Sequence, residues 1–178
     1  MFQPGDLVVY GSDGVCRVES VGPLALSGLK SDKLYYTLTP LYQQGRVFAP
    51  VEGKVFIRPI LTREEAEELI RSFPEIREDD LRDRSTRLRG ERYQQLVRSH
   101  HCEDLVQLIK TVYLKRQEAE AAGRRGGQVE ERYRKRAEEL LYGELAASLG
   151  IGIDEVEPYI FRTLGGAEEG EAQDVEAR

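Results

Sequence analysis

Residues 6–21, DLVVYGSDGVCRVESV, contain the pattern that decides the fold of the N-terminal region. Two short runs rich in Val flank the sequence GSDG at residues 11–14, whose glycines tolerate the positive φ angles of a tight turn. In the second run, apolar side chains at residues 16 and 18 alternate with charged side chains at residues 17 and 19, a pattern typical of a half-buried strand. The segment therefore predicts a β-hairpin, with Cys16 facing inward as a small core residue.

Three more short strands are predicted downstream, at residues 34–39, 46–50 and 55–58. They are rich in Val, Tyr, Thr and Leu, and Gly, Pro, Ser or Asp lies at their ends. Four or five strands within about 60 residues predict a small, curled β-barrel, because closure limits the number of exposed edges in a small sheet.

The rest of the sequence predicts helices. Thr62 and Glu65 form a capping box in front of an apolar helical face that ends before Pro74. Apolar residues at helical spacing then predict a helix over residues 86–99, a third around residues 105–112 and a fourth over residues 129–145, followed by a last turn from Asp154. Gly150 is placed to cap the fourth helix.

The fold class is therefore α+β, a small N-terminal Tudor-like β-barrel followed by a C-terminal all-α helical bundle. Residues 1–60 are expected to form the first domain and residues 61–163 the second, with a linking helix at 61–80. Residues 164–178 are acidic and contain no apolar run, so we expect a disordered tail.

The charge of the chain is unevenly distributed. The 178 residues include 26 basic and 32 acidic ones, a net charge of −6, but residues 82–136 contain 15 basic and 8 acidic ones, a local charge of +7. Such blocks of opposite sign can hide a nucleic-acid-binding surface within an acidic protein. No apolar run is long enough to span a membrane, the N-terminus lacks the pattern of a secretory signal, and two cysteines make no disulfide framework, so we expect a cytoplasmic protein.

The sequence contains no signature of an enzyme or of a cofactor-binding site, so we expect neither. Residues 100–104, HHCED, contain the residue types that bind zinc, but consecutive residues cannot readily converge on one tetrahedral ion. No phosphate-binding glycine motif occurs. An enzyme built around Cys102 and a nearby histidine remains as an alternative.

Basic side chains on several predicted helices are the candidates for binding DNA, because a helical bundle would bring them together. The alternative is an ordinary helical surface with mixed ion pairs, which the glutamates at positions 130, 131, 138 and 139 would supply. The candidate DNA-contacting residues are Arg84, Arg87, Arg89, Arg92, Arg124, Arg125, Arg132, Lys135 and Arg136.

Segments in both halves of the chain match the pattern of one known family. They are residues 2–10 (FQPGDLVVY), Gly14, Val15, Gly28, Tyr35, Tyr36, residues 47–51 (VFAPV), residues 58–60 (RPI), residues 91–93 (ERY), residues 105–115 and residues 136–146 (RAEELLYGELA). Through these segments the chain, over residues 1 to about 161, resembles the CarD/CdnL-type bacterial transcription regulators, whose first domain is shared with transcription-repair coupling factor.

The resemblance implies a monomeric, nucleoid-associated transcription regulator. Its barrel would dock on the RNA polymerase β subunit, and its helical domain would contact promoter DNA non-specifically near the upstream edge of the transcription bubble. The docking positions carried over are Leu24, Ala25, Leu26, Val47 and Phe48. An apolar sheet edge suits such docking, although Leu24 and Leu26 could equally fill the small core.

One departure of this sequence from the family pattern bears on the expected DNA contact. Many relatives insert a Trp into the minor groove as a wedge, but this chain contains no Trp, and Arg89 stands four residues before Tyr93, where those relatives carry the aromatic residue. Leu81 and Leu88 are the candidate replacements. The alternative function is a polymerase-bound adaptor that binds proteins and not DNA.

Overall fold

The computed structural model describes residues 1–26, 29–81 and 85–166. The chain divides into two compact units, which we call the sheet unit (Met1–Ile60) and the helical unit (Leu61–Arg178). The predicted DNA contact Arg84 and most of the predicted acidic tail, from residue 167 onward, lie outside the described residues.

Within residues 1–26 and 29–60, the sheet unit contains five antiparallel strands. They are β1 (Leu7–Tyr10), β2 (Gly14–Leu26), β3 (Leu29–Pro40), β4 (Val47–Pro50) and β5 (Ile57–Pro59). The strand order is β4-β3-β2-β1-β5, so β4 and β5 are its two edges. No pairing between these edges is present within the described residues, so closure into a barrel stays a prediction.

Strands β2 and β3 are longer than their sequence pattern predicts. Gly22 and Pro23 end the predicted second strand, yet both pair with β3 in the structure. The register shifts next to Pro23, between Pro23 and Ala25. Such irregularities are where a sheet tolerates a residue that cannot donate a ladder hydrogen bond. The last strand also differs, because β5 begins at Ile57, whereas Val55 and Phe56 precede it and are exposed.

One face of the sheet forms a small core. Val8, Cys16, Val18 and Leu38 are fully buried, as the alternation of side chains across each strand requires. The inward prediction for Cys16 is confirmed. Burial raises the pKa of its thiol to about 11, so the thiolate that reacts with electrophiles is scarce at neutral pH.

The described part of the helical unit contains five packed α-helices. They are α1 (Arg63–Ser72), α2 (Thr86–Arg98), α3 (Cys102–Ala121), α4 (Gln128–Leu149) and α5 (Val156–Phe161). The predicted capping box is present, with the Glu65 amide 3.1 Å from Thr62 Oγ1 and the Thr62 amide 2.8 Å from a Glu65 carboxylate oxygen. Gly150 ends α4 in the left-handed conformation, as predicted.

Two long polar side chains anchor the start of the helical unit. Lys110 on α3 donates hydrogen bonds to the carbonyl oxygens of Phe73 (2.5 Å) and Ile76 (2.7 Å), just after α1 ends. The buried Glu144 carboxylate on α4 accepts hydrogen bonds from the Leu61 amide and from the Cys102 thiol, both at 3.1 Å. These contacts give the buried polar groups the partners that their burial requires.

Candidate functional site

The outer face of the sheet has a shallow groove of about 150 Å³. Because side chains alternate across a strand, Tyr35 and Thr37 on β3 lie on the face opposite the buried core. Phe48 on β4 pairs with Thr37 and lies beside them, with 43% of its surface exposed. Leu24 and Ala25 of β2 also line this groove.

The chemistry of this outer groove suits a protein partner. Its lining contains no charged side chain, and it reaches β4, an edge strand of the described sheet. An apolar centre with an aromatic side chain is typical of the energetically important part of a protein interface. The exposed edge also offers backbone groups for intermolecular strand pairing.

In the helical unit, two of the candidate arginines are held by carboxylates. Arg89 Nε lies 2.8 Å from Glu130 Oε1, and the exposed fractions of these side chains are only 19% and 8%. Arg92 Nε lies 2.5 Å from Asp79 Oδ2, and both side chains are partly buried. Each pair ties α2 to another part of the helical unit, so much of the charge on these arginines is neutralised within the protein.

The start of α4 depends on a glycine. Glu130 lies over Gly127, the N-cap of α4, so a Cβ at position 127 would overlap the Glu130 carboxylate. Gly127→Ala should therefore displace Glu130 from Arg89 and lower the free energy of unfolding by about 2 kcal/mol. The measurement is unfolding in urea, monitored by the circular dichroism signal of the helices.

Gly126→Ala is the matched control for this substitution. A Cβ at position 126 would meet only Arg116 Cγ, at an ordinary contact distance of 3.9 Å. Its free energy of unfolding should stay within about 0.5 kcal/mol of the wild-type value. Equal effects of the two substitutions would contradict the role given to Gly127.

Among the other candidate cations, Arg87, Arg132 and Lys135 are exposed and Arg136 is partly buried. Arg87 is 80% exposed and lies 3.5 Å from Glu91. On α4, the Arg132 guanidinium lies over the Tyr133 ring, 5.5 Å from its centroid, and Arg136 lies 3.4 Å from Glu139. Lys135 is exposed and lies on the same helical face as Arg132, three residues away.

A cavity of about 530 Å³ lies where α3 leads into α4. It brings together three of the candidate residues, Arg89, Arg124 and Arg125. On α4, Gln128 in the cavity lining is followed by Arg132 and then Arg136, at intervals of four residues. This spacing places the three on one helical face, so the basic surface continues from the cavity along α4. We call this region the α3–α4 cavity. Its full lining is Arg89, Val112, Lys115, Arg116, Glu118, Ala119, Arg124, Arg125, Gly126, Gly127, Gln128, Glu130 and Glu131.

The comparisons with known proteins identify the sheet unit. Residues 2–61 match the family model described as the CarD-like/TRCF RID domain. The N-terminal region is a CarD-like RNA polymerase-interacting domain. Such a domain implies binding to the RNA polymerase β subunit, and modules of this class are generally not catalytic. The match ends at residue 61, and no curated protein matches the chain.

Within the RID domain, the five expected docking residues do not share one face. Leu24, Ala25 and Phe48 line the outer groove, whereas Val47 alternates with Phe48 and packs against the core. The side chain of Leu26 lies outside the described residues. Sequence reasoning missed Tyr35 and Thr37 as lining residues, because the pairing register that places them beside Phe48 depends on the folded sheet.

The two candidate wedge residues differ in their exposure to solvent. Leu81 is 2% exposed and belongs to the helical core, so it cannot act as an exposed wedge. Leu88 lies in the first turn of α2 and is 39% exposed. Of the two, only Leu88 presents an apolar side chain at the surface.

The HHCED segment, together with Ser99 before it, connects α2 to α3. Ser99 ends α2 and donates a hydrogen bond to the Leu96 carbonyl, and Cys102 begins α3 with its thiol buried against Glu144. Within residues 1–26, 29–81 and 85–166, no group of three or more His, Cys, Asp or Glu side chains could hold a metal ion. No helix in the same described ranges is long and apolar enough to cross a membrane.

Proposed function

We propose that this protein is a bacterial transcription regulator that docks on the RNA polymerase β subunit and contacts promoter DNA through its helical unit. The RID match over residues 2–61 carries this proposal. The uncharged outer groove around Phe48 supports a docking surface at this place in the RID domain. The protein would act in the cytoplasm, and the proposal requires neither a cofactor nor a catalytic residue.

The cations along one face of α4 support the DNA contact. Arg132 and Lys135 are exposed on the face of α4 that also carries the partly buried Arg136, so these cations could neutralise neighbouring phosphates of a duplex. Such contacts position a protein on DNA without selecting a sequence. By its resemblance to the CarD/CdnL regulators, the helical unit would act near the upstream edge of the transcription bubble and change the stability of the open complex.

Docking would compensate for a weak affinity for DNA. Sequence-independent binding has a Kd of about 10⁻⁴ to 10⁻⁶ M at physiological salt. Attachment to polymerase makes the DNA contact effectively intramolecular and raises the local concentration of the helical unit at the promoter. A strongly basic protein is then unnecessary, which agrees with a net charge of −6.

The double substitution Arg132→Glu/Arg136→Glu tests the DNA contact. It should abolish promoter stimulation and leave polymerase binding unchanged, because both residues lie outside the RID domain. In DNA binding by the full chain, the slope of log K against log salt should become shallower by about 1.8, since each lost phosphate contact removes about 0.9. Fluorescence anisotropy with a labelled duplex measures this slope.

Arg71→Glu/Arg77→Glu is the matched control, because it changes the net charge equally at exposed positions of the helical unit away from α4. This control should leave the salt slope unchanged. If both double variants lose the same affinity, or if the α4 variant also loses polymerase binding, the proposed division between docking and DNA contact is wrong.

A protein-binding adaptor is the second candidate, and two observations favour it. Arg89, Arg92 and Arg134 are paired with carboxylates, which reduces the charge available to DNA. Tyr113 and Leu114 on α3 are exposed and could contact a protein. Association with promoter complexes that does not depend on salt would favour the adaptor.

A further inference from the structure

We propose that the α3–α4 cavity binds a free polyphosphate, either inorganic triphosphate or the triphosphate group of a nucleotide. This inference goes beyond the proposed function, because it needs neither polymerase docking nor a DNA contact. Its basis is a concave site of about 530 Å³, within the range of about 300–1,000 Å³ that is typical of small-molecule sites.

The cavity contains cations that the protein does not neutralise. Lys115, Arg124 and Arg125 line it, and none of the three has an ion pair or side-chain hydrogen bond within the part of the chain that is described. Three cations in one concave lining raise the local concentration of anions. Arginine also binds phosphate oxygens through paired, charge-assisted hydrogen bonds.

The acidic residues in the lining leave an excess of positive charge. Glu130 is paired with Arg89, and Glu131 is paired with Arg134, which lies outside the lining. Only Glu118 adds a carboxylate with no side-chain partner within the described ranges. A ligand with several negative charges would outweigh this one repulsion better than a single phosphate would.

One side of the cavity is well defined by the fold. The 22-residue helix α4 begins there, with Glu130 and Glu131 in its first turn. The Arg89–Glu130 pair and the close packing of Glu130 over Gly127 fix this helix start. A recessed site with a fixed wall favours a small ligand over a duplex, whose phosphates lie on the outside of a wide cylinder.

Calorimetric titration of the full chain with inorganic triphosphate, without polymerase or DNA, tests the proposal. We expect saturable binding with one site per chain, stronger than binding of inorganic phosphate. Lys115→Gln should weaken triphosphate binding about tenfold, because it removes a charge-assisted contact. Glu118→Gln should strengthen triphosphate binding about threefold by removing a repulsion that solvent partly screens.

Lys135→Gln is the matched control, since it removes the same charge from the helical unit but lies outside the cavity lining. It should leave triphosphate binding unchanged. Absence of saturable binding, or equal losses in the two lysine variants, would overturn the proposal. Circular dichroism checks that each variant is folded.

Duplex binding by the same variants separates this inference from the proposed function. Lys115→Gln should leave the affinity for a short duplex unchanged. If it weakens duplex and triphosphate binding equally, the cavity is a DNA backbone site and the free-ligand proposal fails, whereas the proposed function stands. If triphosphate binds and the duplex does not, the DNA part of the proposed function fails alone.

Discussion

Phe48→Asp is expected to weaken binding of the full chain to the RNA polymerase β subunit by at least about thirtyfold. This loss corresponds to about 2 kcal/mol, the threshold for a residue that dominates an interface. Phe48 lies in the uncharged outer groove of the RID domain, so an aspartate there would bring an unpaired charge into a desolvated contact. Fluorescence anisotropy with the isolated β subunit measures the Kd.

Phe56→Asp is a closely matched control. Phe56 belongs to the same domain and is 42% exposed, against 43% for Phe48, but it precedes β5 at the other end of the strand order. The control should bind polymerase within about threefold of wild type, as expected for an exposed residue outside the interface. Equal weakening by both substitutions would show that the outer groove is not the docking surface.

Arg89→Ala is expected to lower the free energy of unfolding of the helical unit by about 3 kcal/mol, because removal of one partner of a buried ion pair leaves the other charge uncompensated. The residue left behind is Glu130, whose side chain is 8% exposed. The measurement is urea unfolding of the full chain, with the helical transition followed by circular dichroism. Arg87→Ala should change stability by less than about 0.5 kcal/mol, because Arg87 is 80% exposed.

A double-mutant cycle distinguishes the ion pair from simple loss of packing. Glu130→Leu in the Arg89→Ala background should recover part of the lost stability, because it removes the uncompensated carboxylate. Additive losses in the double variant would contradict the proposed ion-pair role. The cycle also decides how a loss of DNA binding in Arg89→Ala is interpreted, because an unfolded helical unit would lose it indirectly.

The sequence predicted best those features that depend on a few neighbouring residues. The capping box of Thr62 and Glu65, the left-handed Gly150 and the inward Cys16 each follow from local chemistry or from strand alternation. The true lengths of β2 and β3 did not follow, because pairing across the hairpin continues through Gly22 and Pro23 despite their poor strand propensity.

The candidate sites were harder to predict, because they depend on contacts distant in sequence. Arg89 meets Glu130 41 residues away, so its spacing from other basic residues gave no sign of a buried pair. Val47 and Phe48 are adjacent but lie on opposite faces of the sheet. Glu144 carried a signal that was overlooked, since helical spacing places it beside the buried Leu141, where a carboxylate needs internal partners.

Hydroxyl-radical footprinting of a polymerase–promoter complex tests the central claim most directly, because it reports docking and DNA contact together. The wild-type protein should add protection at the upstream edge of the transcription bubble. Phe48→Asp should lose this protection at protein concentrations that saturate the wild type, whereas Phe56→Asp should keep it. Wild-type complexes without added protection, or protection that persists in Phe48→Asp, would contradict a regulator that reaches DNA by docking on polymerase.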